Sequence, residues 1–235
     1  KVYGMNPEFG VFGVAKDTNE KTNPGALDSI RPGSGAIFTN VAYNADTHEV
    51  WWEGKTKNPP EDVTGWTDWK GEVIADRKPE DADAPWAHPN SRFTTTLANV
   101  PNVAKDFEDP AGVRIDAIIF GGRTSDREPL VRGIRDLAEG VYDGLTLGAE
   151  ATFAAEGVDG QLRYDPMSMR PFMAYGEGDY ARHWLDIFGA SSDQPIFAHV
   201  NWFQRDAEDG HFLWPGYREN LRPLLWLMQL LNGEV

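Results

Sequence analysis

The sequence contains no cysteine, so its fold depends on neither a disulfide framework nor a thiolate metal site. It also has no run of about 18 apolar residues, the length that a membrane-spanning helix needs, and no charged-then-apolar leader. We therefore expect neither a membrane span nor a signal peptide. A cysteine-free chain suits a reducing compartment, which predicts a cytoplasmic protein. The abrupt start at Lys1 suggests a piece of a longer protein.

Positive charge is scarce: 22 Lys and Arg stand against 37 Asp and Glu, a formal net charge of −15. Such a chain repels nucleic acid and anionic membrane surfaces, so we expect neither as a partner. An anionic ligand must then be held by local positive charge. No G-x-x-x-x-G-K-[ST] phosphate loop occurs, and no G-x-G-x-x-G follows a strand.

Metal-binding spacing is also missing. The histidines follow no HExxH or similar pattern, which predicts structural or exposed roles for them rather than metal ligation. They are His48, His88, His183, His199 and His211. No metal ligand is therefore assigned within this chain.

The 235 residues, 40% of them hydrophobic, are enough for one globular unit with a sizeable core. Short β-branched and aromatic runs predict strands at 11–15, 37–43, 49–54, 115–120 and 196–200. Apolar spacing predicts helices at 129–142, 178–191 and 221–231, and residues 55–89 have the composition of a long solvated loop. Mixed strands and helices with long loops predict an α/β or mixed α+β fold.

Residues 199–220 gather five large aromatic side chains within one segment: Trp202, Phe203, Phe212, Trp214 and Tyr217. Two interpretations are open. The rings fill a core, as most large apolar side chains do, or they form an exposed platform for a flat ligand such as a nucleobase.

Two arginines occupy positions suited to an anion. Arg92 follows Asn90 and Ser91 in the turn-like segment AHPNSRF and offers two parallel hydrogen bonds to a carboxylate or phosphate, which lysine cannot copy. Arg123 follows Gly121-Gly122 at the end of a predicted strand, where glycine lets a backbone approach a phosphate closely. A structural turn in the first case, and a solvated arginine in the second, are the alternatives.

Taken in order, these segments resemble GTP-dependent phosphoenolpyruvate carboxykinase. The matching motifs include PEFGVFGVA, KTNPGAL, IFTNVA, VWWEG, AHPNSRF, IIFGGR, GAEATFAAE, DPMSMRPF, GDYARHWL and HVNWF with FLWPGYREN. Each is weakly specific alone, but ten in order over nearly all 235 residues are highly specific. The resemblance implies a carboxykinase-like carboxy-terminal domain over residues 1–235, from a monomeric enzyme that converts oxaloacetate and GTP into phosphoenolpyruvate, GDP and carbon dioxide.

Carried over by motif, Asn90, Ser91 and Arg92 contact the substrate carboxylate, and Arg92 and Arg123 are the implied catalytic residues at the transferred and terminal phosphates. The implied GTP pocket also contains Trp202, Phe203, Phe212, Tyr217, Arg218, Glu219 and Asn220. Tyr217 stands where the family often has Phe. Thr124 stands where many members have a second Arg, so the role of that second charge is not carried over.

The Ala-rich stretch after Gly148 resembles the family's mobile lid, with an ordinary short helix as the alternative. The implied lid residues are Glu150, Ala151, Thr152, Phe153, Ala154, Ala155 and Glu156. The resemblance also implies Mn²⁺, with the metal ligands, the phosphate loop and its lysine upstream of Lys1. Two other classes stay open on the residues alone: an aromatic-rich carbohydrate-binding module, which Arg92 and Arg123 argue against, and a non-catalytic scaffold domain.

We expect the isolated 235-residue chain to bind nucleotide weakly and to have no carboxykinase activity. The reason is that the implied phosphate loop and metal ligands lie outside it. An assay of phosphoenolpyruvate formation from oxaloacetate and GTP with Mn²⁺ checks this, and measurable turnover by purified residues 1–235 would contradict it.

Overall fold

The computed structural model describes residues 1–5, 10–124, 128–150, 161–214 and 219–235. Its strands are β1 (Tyr3–Gly4), β2 (Gly10–Val14), β3 (Ile37–Thr39), β4 (Ala42–Asn44), β5 (Val50–Trp51), β6 (Trp66–Thr67), β7 (Arg92–Thr96), β8 (Val113–Arg114), β9 (Ala117–Gly121), β10 (Val131–Ile134), β11 (Gly148–Glu150), β12 (Leu162–Tyr164) and β13 (Ile196–Val200). Its α-helices are α1 (Pro24–Ser29), α2 (Leu137–Leu145), α3 (Glu177–Gly189) and α4 (Leu221–Asn232). Single 3₁₀ turns lie at Ile74–Asp76, Pro79–Asp81, Leu97–Asn99, Pro166–Ser168 and Arg170–Phe172.

The chain divides into two compact units. The smaller unit is Asn6–Phe107, and the larger unit joins Lys1–Met5 to Glu108–Val235. Several small sheets combined with helices make this a mixed α+β protein, which confirms the predicted fold class. The prediction of one domain over residues 1–235 stays a prediction. None of the described helices combines the length and apolar character that crossing a bilayer requires.

The smaller unit is built on a sheet in which β7 lies between β2 and β3, antiparallel to both. Phe93 on β7 packs over Gly13 on β2, where an added Cβ would lie 2.3 Å from the ring. One core cluster behind this sheet contains Ala15, Ile30, Trp52, Ala87 and Phe93. Close approach of the strands thus depends on a glycine facing an aromatic ring.

A second cluster in the smaller unit corrects the prediction for residues 55–89. This segment contains little regular structure, as expected, but Trp66 and Trp86 are buried rather than solvated. They pack with Ala42, Trp51 and Ile74 behind the β5-β4-β6 sheet. Composition indicated a loop correctly, and it missed that the loop's tryptophans supply a core.

The larger unit contains a three-stranded sheet in the order β10-β13-β9. Its central strand β13 is parallel to β9 and antiparallel to β10. A core cluster of Phe120, Ile134, Val141, Met167 and Phe197 joins the sheet to α2 and the turn at Pro166–Ser168. This packing fixes the ends of β9 and β13, from which the candidate site is built.

The helix predicted over 129–142 is wrong in its first half, where Val131–Ile134 forms β10. These residues pair with β13, and Asp136 marks the later start of the helix. Its carboxylate accepts a hydrogen bond from the Glu139 amide at 2.9 Å, while Glu139 accepts one from the Arg135 amide at 3.0 Å. This reciprocal capping starts α2 at Leu137. The helices predicted at 178–191 and 221–231 are confirmed as α3 and α4 within two residues at each end.

Replacing Gly140 by Ala tests the contact between α2 and β13. An added Cβ would lie 2.7 Å from Cγ of the buried Phe197, an atom that cannot swing away, so we expect a loss of about 1–3 kcal/mol in the free energy of unfolding. The matched control is Gly178→Ala in α3, where nothing lies within 4 Å and better helix propensity predicts a gain of up to about 1 kcal/mol. Urea denaturation measures both, and an unchanged midpoint for Gly140→Ala would show that Phe197 has room to yield.

Candidate functional site

The candidate site of the larger unit lies at the carboxyl ends of two parallel strands. β9 and β13 run side by side with Gly121 opposite Val200, so the residues after each strand leave the sheet at the same edge. An added Cβ at Gly121 would lie 2.6 Å from the Val200 carbonyl oxygen and 3.0 Å from Trp202. Only glycine fits there, and this lets the chain bearing Arg123 pass directly beside the aromatic segment.

The Arg123 guanidinium lies 4.1 Å from the ring centroid of Phe203. Phe203 meets Phe212 edge to face at 6.3 Å, and Arg205 lies 4.0 Å from the Phe212 centroid. Phe203 and Phe212 are 38% and 41% exposed. These two rings therefore do not fill a core, and the geometry favours the platform interpretation.

Two tryptophans of the same segment, one on each side of the phenylalanine pair in sequence, lie near each other. Trp202 and Trp214 are half-buried, with ring centroids 6.0 Å apart. The segment between them folds back on itself, with the Leu213 amide donating to the Gln204 carbonyl at 2.9 Å. The aromatic segment is thus a small hairpin-like excursion that presents one pair of rings outward.

Arg123 is positioned through its backbone and keeps its charge available. Its carbonyl accepts a hydrogen bond from the Glu150 amide at 2.7 Å, which links the end of β9 to the last residue of β11. No ion pair in the described ranges uses its guanidinium. A guanidinium stacked on an aromatic ring retains its hydrogen-bonding edge for an anion.

A polar network lies behind this edge and was not identified from the sequence. Asp143 on α2 contacts both Arg132 and His199, and the His199 Nδ1 to Asp143 Oδ2 distance is 3.3 Å. Arg132 also pairs with Glu128 at 3.3 Å, and the Glu128 carbonyl accepts a hydrogen bond from Asn201 at 3.1 Å. The network therefore connects α2, β10 and β13 to the chain that follows Arg123.

The pKa of Asp143 reflects this network. Burial alone would raise it, but hydrogen bonds from His199 and Arg132, together with the Arg132 charge, outweigh burial and lower the pKa. The same carboxylate and Glu128 raise the pKa of Arg132 against the effect of burial. His199 fits the structural role that its spacing predicted, whereas nothing in the sequence pattern distinguished Asp143.

The substrate triplet predicted from the sequence lies in the smaller unit, at the start of β7. The Asn90 side-chain oxygen accepts a hydrogen bond from Arg92 Nε at 2.6 Å, and the guanidinium lies 5.3 Å from the Phe12 ring centroid. Asn90 is itself fixed by His88, whose Nδ1 accepts from the Asn90 amide at 2.9 Å. Ser91 is fully buried, and its hydroxyl has no hydrogen-bond partner among the residues that the structure describes.

The remaining predicted residues have different outcomes. Glu219 forms an ion pair with Arg222, and Asn220 is exposed immediately before α4 with its side chain making no cap. Tyr217 and Arg218 lie outside the described residues, as do lid residues 151–156. Arg92 and Arg123 belong to the smaller and the larger unit, respectively.

One group among the described residues has donor atoms close enough to hold a metal: Asp206, Asp209 and His211. Its carboxylates are already used within the turn. Asp206 accepts the Glu208 amide at 2.8 Å, and Asp209 accepts both the His211 amide and the His211 ring. The hydrogen bond and charge of Asp209 raise the pKa of His211, which favours an imidazolium over a metal-ligating imidazole. The group therefore fits a turn whose polar groups bond to one another, and it does not fit a metal centre.

Asp143→Asn tests the network behind Arg123. We expect it to lower the free energy of unfolding by about 1–3 kcal/mol at neutral pH, because charge-assisted hydrogen bonds to Arg132 and His199 are weakened. The lowered pKa of Asp143 makes its contribution complete above the unfolded-state pKa of about 3.9, and the contribution is lost as pH falls through the lower folded value.

Urea titrations between neutral pH and about pH 2 give this difference. The exposed Asp186→Asn in α3 is the matched control and should change little at any pH. A loss for Asp143→Asn that persists undiminished at the acid end would mean that packing, rather than charge, accounts for it.

Residues 1–235 match the family model described as the phosphoenolpyruvate carboxykinase C-terminal P-loop domain. The curated protein "Phosphoenolpyruvate carboxykinase [GTP]" of Anaeromyxobacter sp. strain K is 46% identical over 234 residues, which cover 100% of this chain and 37% of the relative. Proteins of the same name from Chlamydia muridarum and Corynebacterium kroppenstedtii are 44% and 46% identical, covering 100% of this chain and 37% and 36% of their own lengths. The chain thus spans little more than a third of these curated relatives.

Proposed function

The chain belongs to the GTP-dependent phosphoenolpyruvate carboxykinase family, and we propose on this premise that it supplies the guanine-binding and substrate-binding parts of such an enzyme. The proposed reaction converts oxaloacetate and GTP into phosphoenolpyruvate, GDP and carbon dioxide. The observation that carries the proposal is the placement of Arg123 against Phe203 where β9 and β13 end. A guanidinium and an exposed aromatic platform are neighbours there, which supports the proposal because a nucleotide offers phosphates to the one and a base to the other.

In the proposed nucleotide site the guanine lies against the aromatic segment. Phe203 and Phe212 offer exposed ring surface, Trp202 supports them, and Tyr217 and Asn220 complete the wall and read the edge of the base. Stacking gives affinity with little selectivity, so the choice of guanine falls to hydrogen bonds such as those of the exposed Asn220 amide. Arg218 and Glu219 are also proposed to belong to this pocket, and Glu219 forms an ion pair with Arg222 of α4.

At the other end of the nucleotide, Arg123 contacts the terminal phosphates. Charge spreads over the phosphoryl oxygens during transfer, and a guanidinium stabilises that distribution. Its position is maintained by the Glu150 amide on its carbonyl and by Phe203 beneath its plane. Glu150 opens the segment through residue 156 that we propose as the lid.

In the proposed substrate site Arg92 holds the carboxylate of oxaloacetate or phosphoenolpyruvate. Asn90 occupies Arg92 Nε and so orients the guanidinium, leaving the two terminal nitrogens for a bidentate contact. The side-chain nitrogen of Asn90, Nδ2, is left to donate a hydrogen bond to the substrate. Ser91 completes the proposed triplet, and its backbone helps to fix the turn, because its amide donates to the His88 carbonyl at 2.8 Å.

The proposed chemistry begins with cleavage of the bond between the departing carboxylate and the neighbouring carbon. Carbon dioxide leaves, the electron pair remains as an enolate, and the enolate oxygen attacks the terminal phosphorus of GTP in line as GDP departs. Arg92 fixes the remaining carboxylate and lies beside the transferred phosphate, and Arg123 stabilises its charge. A proton reaching the enolate would give pyruvate instead, so the lid's role is to exclude water.

A divalent metal, with Mn²⁺ as the expected ion, would polarise the carbonyl and neutralise phosphate charge in this reaction. The donor group at Asp206, Asp209 and His211 does not fit it, since its oxygens are satisfied within the turn. We therefore assign no step of the reaction to a metal held by the described residues. Its ligands and the phosphate loop are proposed to lie upstream of Lys1.

The proposed protein acts as a cytoplasmic monomer whose partners are oxaloacetate, phosphoenolpyruvate and guanine nucleotides. A net charge of −15 supports the expectation that it binds neither nucleic acid nor membrane. A carbohydrate-binding module or a scaffold is not favoured, because neither explains the family match or an arginine that stacks on the platform without an ion pair to any described residue.

The test is guanine-selective binding by the 235-residue chain. Titrating GDP and ADP against intrinsic tryptophan fluorescence should give tighter binding of GDP, and Asn220→Ala should reduce this preference about tenfold, the effect of losing a hydrogen bond to the base. Asn232→Ala, an exposed asparagine at the end of α4, is the matched control and should keep the preference. Equal affinity for GDP and ADP, or a response to an oligosaccharide instead, would overturn the proposal.

A further inference from the structure

A cavity of about 690 Å³ opens in the smaller unit. This volume lies within the range of small-molecule sites, roughly 300–1,000 Å³. Its apolar wall is formed by Leu27, Ile30, Ala36, Phe38, Val50 and Trp52. None of Asn90, Ser91 and Arg92 lines it, so the cavity is separate from the residues that the smaller unit supplies to the proposed carboxykinase reaction.

The cavity is an unfilled side of the first core cluster. Ile30 and Trp52 are buried in that cluster, while Phe38 and Val50 pack against it and remain only partly buried. The Phe38 ring stacks on Trp52 with centroids 6.1 Å apart. Trp52 donates its indole hydrogen to the Thr18 carbonyl at 2.9 Å, which fixes the floor of the cavity. A rigid apolar wall with surface still uncovered favours an apolar occupant.

Lys55 gives this apolar cavity one partly desolvated charge. Among the other acidic and basic residues that line it, Glu20, Asp28, Arg31, His48 and Glu49 are all exposed, whereas Lys55 is half-buried. Its ammonium donates to the Val50 carbonyl at 2.6 Å and lies 4.8 Å from the Trp52 ring centroid. No carboxylate among the described residues forms an ion pair with it.

The Lys55 ammonium has lost part of its hydration, and no ion pair with a described carboxylate replaces that lost stabilisation. Burial lowers the pKa of Lys55, and the charge of the exposed Glu49 only partly opposes this effect. A carbonyl and an aromatic face stabilise the ammonium less than an anion in the same cavity would. The cavity therefore combines an apolar wall with a positive charge, and this combination suits an acid that has an apolar body.

We propose that this cavity binds a small organic anion, whose apolar body lies against Phe38 and Val50 and whose acidic group pairs with Lys55. The exposed Arg31 at the rim adds a second positive charge on the same path. Nothing in the proposed carboxykinase chemistry uses this cavity, so the ligand is a further one and not a substrate of that reaction.

The test uses two dyes that differ by one acidic group: 8-anilinonaphthalene-1-sulfonate and the uncharged N-phenyl-1-naphthylamine. Fluorescence titrations of the 235-residue chain give a dissociation constant for each. Lys55→Gln should weaken the sulfonate at least about tenfold, the worth of one charge-assisted hydrogen bond, and leave the uncharged dye within about twofold. Lys57→Gln, an exposed lysine outside the cavity, is the matched control and should change neither constant.

A second variant locates the dye. Ala36→Phe places a ring in the cavity and should weaken both dyes together, with circular dichroism confirming that the chain remains folded. If Lys55→Gln leaves the sulfonate unchanged, or weakens both dyes equally, Lys55 does not act as the anion's partner and the proposal is overturned. Unchanged binding of both dyes to folded Ala36→Phe would likewise overturn it, by placing them elsewhere. These outcomes are independent of guanine selectivity at Asn220.

Discussion

Parallel pairing of β9 with β13 is the constraint on which the larger unit's candidate site depends. Two segments far apart in the chain leave the sheet at one edge because their strands point the same way and end in register at Gly121 and Val200. Antiparallel pairing would have sent the arginine and the aromatic segment to opposite edges. The site is therefore a product of strand direction first and of side-chain chemistry second, as in other sheets that bind ligands beyond their carboxyl ends.

Buried polar groups make this edge well defined. Arg132, Asp143 and His199 come from three elements, and the partly buried Asp143 carboxylate is the common partner of the other two. A displaced α2 would leave a charge unpaired, which costs more than the modest net gain of forming the pairs. Such a network specifies one arrangement of the strands more than it adds stability. Glu128 and Asn201 extend this network toward the chain that carries Arg123, because Arg132 pairs with Glu128 and the Glu128 carbonyl accepts a hydrogen bond from Asn201.

Much of the secondary structure could be predicted from the sequence, and the predictions that failed did so for one physical reason, the influence of tertiary contacts. β13 and α4 carry unambiguous local patterns and were predicted nearly to the residue. The segment 129–142 was not, because its spacing of apolar residues suits a helix and its pairing with β13 overrides that preference. Trp66 and Trp86 lie in a polar stretch, and only tertiary packing shows that they are buried. A local pattern of apolar residues does not show which distant segments of the chain will pack against it.

The candidate site shows the same division. Arg123 was singled out because it follows two glycines, Arg92 because it lies in a short turn-like motif, and Phe203 and Phe212 because five aromatic side chains cluster in residues 199–220. Asp143 on α2 and Lys55 in a loop belong to no such motif. Their importance depends on their burial and on contacts with residues distant in the chain, so no sequence motif could have identified them.

The two arginines laid on Phe203 and Phe212 also bear on how an anion reaches this edge. At distances beyond about 8 Å in physiological salt, screening weakens the repulsion that a net charge of −15 exerts on a nucleotide. Within a few ångströms the two guanidinium groups act with little screening. Salt therefore weakens the outer repulsion sooner than the inner attraction, so nucleotide binding at this edge, as proposed above, should depend on ionic strength.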